Sequence, residues 1–360
     1  MRYLAAGLFS LCLVLCLLGQ DSTKGPTDKK AQKTYQQAFD NLGNAGVALW
    51  YFRKADEQDG GKCLPCQEQM VRIGLSKPDW KAVEDGASEI AAQAQDPKQQ
   101  AIAHHYLGIA FMNEGFDQHQ DNLLARAHAE FSKTIALYPR FGETVFDDGK
   151  VLAGLRRDDE AKAQFEKFVA MTKEEGLLLR RRALQFIQKP ELARANLAPE
   201  FGLVTVDGQH VRLDGLLGKV VLIHFWATSC DVCLRGLPHL RDIAKKFQNQ
   251  PFVILSVSVD HDPAVWRSFL EKNEVPGLQY QDGFNGPMWR AFGQRVDFES
   301  STDNVVAGVW MSSRGLKQPV PKAFTIDADG VLQAEKLSDS SLDDRLQQLI
   351  SRAGTRQTSQ

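Results

Sequence analysis

The chain has 360 residues, of which 43% are hydrophobic and 24% charged, and both proportions are ordinary for soluble globular proteins. This length allows two domains, each with a core of its own. The 43 Lys and Arg residues nearly balance the 45 Asp and Glu residues. No basic cluster stands out, so the sequence does not indicate nucleic acid as a partner.

Residues 1–20 have the pattern of a secretory signal peptide. Arg2 supplies a positive charge, residues 4–18 are almost wholly apolar, and the chain turns polar from Gln20. The apolar run is shorter than the roughly 20 residues of a membrane-spanning helix. No small-x-small triplet marks a cleavage site, so an uncleaved N-terminal anchor is the second interpretation. We expect an exported protein, periplasmic or in the cell envelope, with a flexible leader over residues 21–30.

Residues 31–190 are predicted to form an all-helical domain, because apolar residues recur there at three- and four-residue steps. An internal repeat lies within this segment. Ala127 and Phe131 recur as Ala161 and Phe165, with an offset of 34 residues. That offset is the period of the tetratricopeptide repeat.

Two further features fit this period. Pro139 follows the first copy where a helix pair would turn, and residues 48–55 read as an earlier, degenerate copy. The segment therefore resembles tetratricopeptide repeats. That resemblance implies a peptide or protein ligand on the helical repeats, and the alternative is a helical spacer without a ligand.

Residues 196–354 have a different sequence pattern and are predicted to form an α/β domain, because apolar runs typical of buried strands alternate there with helical segments. A hairpin is expected over residues 202–213, with Asp207-Gly208 as its turn. The predicted strands and helices that follow are strand 220–226, helix 231–247, strand 252–259, helix 263–272, strand 278–280, helix 287–292, hairpin 323–334 and helix 341–351.

The pair Cys230 and Cys233 stands where the first buried strand gives way to a helix. At a helix N-terminus, unpaired backbone N–H groups and the helix dipole favour a thiolate. Cys230 can therefore attack a disulfide at neutral pH, and Cys233, one turn further, can resolve the mixed disulfide. Two alternatives are a structural disulfide and a zinc site shared with Cys63 and Cys66, which lie in the other predicted domain.

Residues 198–350 resemble the TlpA/ResA branch of the thioredoxin superfamily, which comprises exported thiol-disulfide oxidoreductases. The resemblance rests on residues 217–228 leading into the dithiol, on Pro238 in the following helix, and on residues 320–330. It implies a thioredoxin fold and a redox-active Cys230–Cys233 disulfide. It also implies a cis peptide bond before Pro321, which would face the dithiol and pair its flanking backbone with the substrate. An ordinary edge-strand proline is the alternative.

The sequence departs from this family at positions that tune the dithiol. Ser229 stands where the family has a bulky residue, Asp231-Val232 where it has proline, and Gly236 where it commonly has a proton-handling glutamate. An acidic residue beside Cys230 opposes thiolate formation, although a carboxylate also suits a helix start. The direction of electron flow therefore stays open.

His224 lies six residues before Cys230, in an otherwise apolar strand. Many thioredoxins bury an acid at this place that shuttles a proton to the second cysteine. Because an imidazole titrates near neutral pH, we hypothesise that His224 assists deprotonation of Cys233. The alternative is a hydrogen-bonded core histidine.

Two further segments are assigned more simply. Cys63 and Cys66 follow Asp59-Gly60-Gly61 rather than a buried strand, so we predict a structural disulfide that clips the start of a repeat helix. A second redox pair is the alternative. Residues 297–317 are a polar insertion leading towards Pro321, which either shapes the substrate groove or is a surface loop.

These patterns together predict an exported two-domain enzyme with a helical, tetratricopeptide-like domain and a thioredoxin-fold α/β domain. Its expected partners are protein thiol and disulfide substrates and a redox partner protein, and no cofactor or metal is implied. One rival function is a repeat-based adaptor with a weakly active thioredoxin fold. The other is a peroxiredoxin-like peroxidase, which is disfavoured because Ala227 stands where those enzymes have threonine.

Overall fold

The computed structural model describes residues 25–173, 178–283, 285–292, 310–311, 317–318, 320–335 and 341–357. These residues form two compact units that meet in sequence between Arg194 and Ala195. The first unit is all-helical and the second is α/β, in the order that the sequence predicts. Residues 1–20, predicted as a signal or anchor, lie outside the described residues. Within the described ranges, no helix is long and apolar enough to cross a membrane.

The first unit consists of nine α-helices in its described residues, followed by a short 3-10 turn at Pro190–Arg194. Four of its helices begin at an aspartate or asparagine whose side chain accepts a backbone N–H of the first turn, a favourable N-terminal cap. The helices are α1 Lys29–Asp40, α2 Ala45–Gln58, α3 Leu64–Ser76, α4 Trp80–Gln93, α5 Pro97–Gln118, α6 Asp121–Leu137, α7 Gly142–Gly154, α8 Asp158–Met171 and α9 Leu178–Gln188.

The repeated alanine and phenylalanine positions are the points where consecutive helices pack. Phe131 on α6 and Phe165 on α8 are fully buried. Each ring lies over a glycine of the preceding helix, Gly108 and Gly149 respectively. A Cβ at Gly149 would lie 2.7 Å from the Phe165 ring, closer than side chains pack. The small residue lets the two helices approach, and the phenylalanine fills the space between them.

The predicted flexible leader over residues 21–30 is described from Gly25 onwards, and its last two residues belong to a helix. Helix α1 already begins at Lys29, with Asp28 as its cap. The backbone N–H groups of Thr27 and Asp28 both donate to Asp59 Oδ1 at 2.8 Å, and Pro26 is buried. These hydrogen bonds tie the last leader residues to the end of α2.

The strands of the second unit are β1 Gly202–Val204, β2 His210–Arg212, β3 Val220–Trp226, β4 Phe252–Ser258, β5 Leu278–Gln281, β6 Trp310–Met311, β7 Lys317–Gln318, β8 Lys322–Ile326 and β9 Leu332–Glu335. Five of them form a sheet in the order β5-β4-β3-β8-β9. Strand β3 is central and pairs parallel with β4 and antiparallel with β8. All seven residues of β3 are buried, because both faces of the sheet are covered. Two-stranded pairs β1–β2 and β6–β7 stand apart from this sheet.

The helices are α10 Asp231–Lys246, α11 Pro263–Lys272, α12 Pro287–Phe292 and α13 Ser341–Gln357. The elements predicted from the sequence are all present, and α13 extends six residues beyond its predicted end at residue 351.

The two faces of β3 pack into two separate cores. Val221, Ile223 and Phe225 contribute to one core, which also contains both cysteines of the dithiol. Val220 and Leu222 contribute to the other core, between the sheet and the helices α10 and α13. The alternation of side chains along a strand produces this division.

Candidate active site

Cys230 and Cys233 form a disulfide at the N-terminus of α10, with their Cα atoms 5.2 Å apart. Cys230 is the N-cap residue, in extended conformation, and its Sγ accepts the backbone N–H of Cys233 at 3.1 Å. Both residues are only 2% exposed. The first sulfur therefore occupies the position where helix N–H groups and the dipole stabilise negative charge once the disulfide is reduced.

The loop between β3 and α10 is held by a buried carboxylate that the sequence did not reveal. Asp260, two residues beyond β4, accepts the backbone N–H of Thr228 at 3.0 Å and its hydroxyl at 2.7 Å. Ser258 Oγ donates to the same carboxylate at 2.7 Å. Thr228 lies two residues before Cys230, so these hydrogen bonds fix the approach to the dithiol.

Pro321 lies opposite the dithiol, and the Val320–Pro321 peptide bond is cis, the geometry that the sequence predicted. The Val320 carbonyl oxygen is 3.7 Å from Cys230 Sγ. Strand β8 begins directly after this proline and pairs with β3, with Lys322 opposite Phe225. The backbone preceding Pro321 thus contacts the first sulfur, as expected for a segment that lines the site.

His224 is buried inside the sheet rather than exposed at the site. Its neighbours across β3 are Ser256 on β4 and Ala323 on β8. Its Nδ1 has no hydrogen-bond partner, and burial lowers the pKa of its imidazole to about 4. The sequence interpretation assumed titration near neutral pH, and this premise is wrong because desolvation disfavours the charged ring.

Of the residues that depart from the family pattern, Val232 is half-buried against the core and the other three lie at the surface. Ser229, Asp231 and Gly236 are exposed. A Cβ at Gly236 would meet no atom within 4 Å. The glycine is therefore not required by packing, and the site differs from the pattern in its chemistry and not for lack of space.

Cys63 and Cys66 also form a disulfide, in the helical unit, at the start of helix α3 as predicted. Cys63 is the N-cap residue of α3, and its Sγ accepts the N–H of Cys66 at 3.2 Å. Both residues are buried. All four cysteines are engaged in disulfides within their own pairs, so none of them offers a thiolate ligand to a zinc ion.

The predicted insertion over residues 297–317 lies mostly outside the described residues. Within it, only residues 310–311 and 317 are described. They belong to β6 and β7, which pair antiparallel.

Comparisons with known proteins concern the second unit. The model of the AhpC/TSA family matches residues 195–335. The thiol-disulfide oxidoreductase ResA of Geobacillus thermodenitrificans is 32% identical over 87 residues, which are 24% of this chain and 50% of that protein. ResA of Bacillus thuringiensis is 23% identical over 145 residues, or 40% of this chain and 70% of that protein. The chain thus spans about half the length of the first of these relatives.

Two solved structures are similar to the same part of the chain. The thioredoxin domain of a thiol-disulfide oxidoreductase from Bacteroides vulgatus has 19% sequence identity and a TM-score of 0.32, and covers 43% of this chain and 95% of that one. A thioredoxin-family thiol:disulfide interchange protein from Chlorobium tepidum has 21% identity, a TM-score of 0.33 and the same coverage. The second unit is a thioredoxin-like α/β domain whose homologues are ResA-like thiol-disulfide oxidoreductases.

Proposed function

We propose that the thioredoxin-like domain exchanges disulfides with protein substrates, with Cys230 as the attacking thiol and Cys233 as the resolving thiol. The observation that carries this proposal is the position of Cys230. It caps α10, its Sγ accepts the N–H of Cys233, and the Val320 carbonyl lies 3.7 Å from it. A thiolate at this place is stabilised by the helix start and faces a backbone edge that a substrate chain can pair with.

In the reducing direction, the Cys230 thiolate attacks a substrate disulfide and one substrate sulfur leaves as a thiol. Cys233 then attacks Cys230 in the mixed disulfide, which releases the second substrate sulfur and closes the Cys230–Cys233 bond. Two electrons pass from the dithiol to the substrate. The oxidising direction is the reverse of these steps, and the reduction potential of the pair decides between them.

His224 enters this proposal as a proton acceptor for Cys233. With a pKa of about 4, its imidazole is neutral at pH 7 and able to accept a proton, but as a weaker base than a free histidine. If a His224→Leu variant exchanges disulfides at unchanged rates and with unchanged pH dependence, His224 does not have this role.

The helical unit is proposed to bind a peptide or protein partner as a tetratricopeptide-like domain. The support is the buried phenylalanine over a glycine of the preceding helix, repeated at Phe131 and Phe165. Export to the periplasm or cell envelope remains part of the proposal, on the pattern of residues 1–20 alone. A reporter fusion of this segment, read for export and cleavage, tests it.

The test of the activity combines two assays on the same protein. Insulin reduction by the wild type, lost in Cys230→Ser and trapped as a mixed disulfide in Cys233→Ser, supports disulfide exchange. The match to the AhpC/TSA family favours peroxide reduction as the second candidate, so peroxide consumption is measured alongside. A wild-type protein that shows neither activity would leave the helical adaptor as the function.

A further inference from the structure

The geometry of the helical unit points to a second redox-active disulfide, Cys63–Cys66, whose reduction is coupled to the carboxyl pair of Asp56 and Glu89. The inference concerns α2, α3 and α4 of the first unit alone. It does not depend on the activity proposed for Cys230 and Cys233.

The first step is that both cysteine pairs have the same local structure. In each, the first cysteine is the N-cap of a helix of more than ten residues, and its Sγ accepts the N–H of the second cysteine, at 3.2 Å in α3 and 3.1 Å in α10. The residues are equally inaccessible, at 1% and 0% exposed in α3 and 2% each in α10. Neither burial nor position on the helix therefore distinguishes Cys63–Cys66 from the pair in the thioredoxin-like domain.

The second step is a buried acid at the start of α3. Asp56 on α2 is 3% exposed, and its Oδ1 accepts the backbone N–H of Cys63 at 2.9 Å and the side-chain amide of Gln67 at 3.0 Å. Gln67 is the residue directly after Cys66. The carboxylate of Asp56 is thus fixed at the dithiol by hydrogen bonds from both ends of the Cys-x-x-Cys segment.

The third step is a source of protons. The carboxyl of Glu89 on α4 lies within hydrogen-bond reach of Asp56, and burial together with the Asp56 charge raises the pKa of Glu89 to about 8. Two carboxyl groups that hydrogen-bond to each other share one proton, because both cannot be ionised at low cost. At neutral pH the pair therefore holds a proton that a newly formed thiolate can take.

Charged side chains of α2 and α4 surround the carboxyl pair of Asp56 and Glu89. Facing Glu89 across the space between α2 and α4 are Arg53 and Glu57 on α2, with Lys81, Glu84 and Asp85 on α4 itself. Arg53 and Lys81 each form an ion pair with Asp85, at 3.2 and 2.6 Å. The two cations are therefore engaged with Asp85, while Asp56 and Glu89 face each other.

The fourth step is a path for a partner. Asp56 and Glu89 line an open cavity of about 290 Å³, and so does Met70, one helical turn after Cys66. On the other side, Gly60 and Gly61 precede Cys63 by three and two residues, with the exposed Lys62 between them and the disulfide. A Cβ at either glycine would meet no atom within 4 Å. The chain that leads to Cys63 is therefore open to a partner thiol at Gly60 and Gly61, before Lys62.

The reaction balances with a dithiol as the reductant. Its first thiolate, having lost its proton to water, attacks Cys63 Sγ, and Cys66 leaves as a thiolate that takes the proton of the Asp56–Glu89 pair. The second thiol of the donor returns a proton to the carboxyl pair and attacks its partner sulfur in the mixed disulfide. Cys63 leaves and is protonated by water. Two electrons have moved from the dithiol to Cys63–Cys66, and the donor is released as a disulfide.

The experiment uses the full chain with serine at positions 12, 16, 230 and 233, so that alkylation reports only Cys63 and Cys66. The protein is equilibrated at pH 7 with mixtures of reduced and oxidised dithiothreitol, quenched with acid, alkylated and weighed by mass spectrometry. Circular dichroism of the same samples monitors the helices. We expect half-reduction within about 100-fold of the dithiol-to-disulfide ratio that half-reduces Cys230–Cys233 in the complementary Cys63→Ser/Cys66→Ser protein, with no loss of helix. A pair that is reduced only as the helices unfold overturns the inference.

The coupling is tested with Glu89→Gln, and Glu57→Gln, in the same cavity, is the matched control. Reduction rates are expressed per attacking thiolate. At pH 7 we expect Glu89→Gln to react at least about tenfold more slowly than the parent, as for loss of a general acid, and Glu57→Gln to match the parent. At pH 9.5 the parent has lost the shared proton, so all three rates should agree. Equal rates for Glu89→Gln and the parent at pH 7 refute the coupling.

Discussion

The buried imidazole of His224 makes the thioredoxin-like domain sensitive to acid in a way that one substitution can isolate. A histidine has a pKa of about 6.5 in the unfolded chain, whereas burial lowers that of His224 to about 4 in the folded domain. Between these values the unfolded chain binds the proton and the folded domain does not. The contribution to stability is therefore fully present above pH 6.5 and is lost as the pH falls towards 4.

The size of the effect follows from the two pKa values. Relative to high pH, proton uptake by the unfolded chain lowers the free energy of unfolding by about 2 kcal/mol at pH 5 and about 3 kcal/mol at pH 4. Solvent screening does not reduce this effect, because the His224 side chain is only 2% exposed. A His224→Leu variant lacks this titration, and it also removes the Nδ1 that has no hydrogen-bond partner. Between pH 7 and pH 5, the free energy of unfolding of the variant should therefore fall by about 2 kcal/mol less than that of the wild type.

The measurement is urea unfolding at pH 7, 6 and 5, read by pulsed hydrogen exchange of peptides from β3 and β4 so that the thioredoxin-like domain is followed separately. Carboxylates titrate in both proteins, and their effect cancels in the difference between wild type and variant. His105 provides an internal control, because it is buried in the helical unit with its pKa also lowered to about 4. Helical peptides should keep their acid sensitivity in His224→Leu. Equal losses in the β3 peptides of both proteins would refute the reasoning.

Three further substitutions and one control substitution test the packing and the site. Asp260→Asn places an amide donor against the donors of Thr228, and should cost the domain about 1–3 kcal/mol and slow insulin reduction, whereas loss of stability alone would show that the loop does not position the dithiol. Gly149→Ala should destabilise the helical unit by about 1–2 kcal/mol in urea unfolding, because its Cβ meets the ring of Phe165. Gly354→Ala in α13, with no atom within 4 Å, is the control and should be neutral or stabilising. Phe165→Ala should cost the helical unit about 3–5 kcal/mol, and a smaller loss would mean that the ring does not hold α7 and α8 together.

The elements of the thioredoxin-like domain were predictable because their signals are local. Residues 220–226 are apolar at every position except His224, a pattern typical of a strand covered on both faces. Asp262 followed by Pro263 marks the start of α11, where the aspartate caps and the proline needs no hydrogen bond. Gly208 allows the positive φ of the turn before β2. Each of these features can be recognised from fewer than ten consecutive residues.

The parts of the site that were not predictable depend on contacts between distant segments. Asp260 reaches Thr228 only because β3 and β4 pair in parallel with a fixed register, which brings together residues 32 positions apart. Asp56 and Glu89 meet through the packing of separate helices. The pKa of His224 likewise follows from burial on both faces of the sheet. In each case the residue type was visible in the sequence, but the contact that gives it a role was not.

At neutral pH, the two Cys-x-x-Cys pairs differ in whether a neighbouring side chain carries a proton that a leaving thiolate can take. Beside Cys230–Cys233, the strand that leads into the site carries His224, which burial keeps unprotonated. Beside Cys63–Cys66, the carboxyl of Glu89 retains a proton up to about pH 8. Because a leaving thiolate needs a proton when it stays buried, exchange at the two pairs should depend on pH differently.

Between pH 6 and 9, the rate per attacking thiolate at Cys230–Cys233 should be flat, since His224, whose pKa burial lowers to about 4, stays unprotonated over this whole range. The same rate at Cys63–Cys66 should fall through a midpoint near pH 8, as Glu89 loses its proton. Chains that retain only one pair, assayed with the same dithiol, give the two profiles side by side. Identical profiles would mean that proton supply at the carboxyl pair does not control exchange, whereas a midpoint near pH 8 at Cys63–Cys66 alone would locate that control in the helical unit.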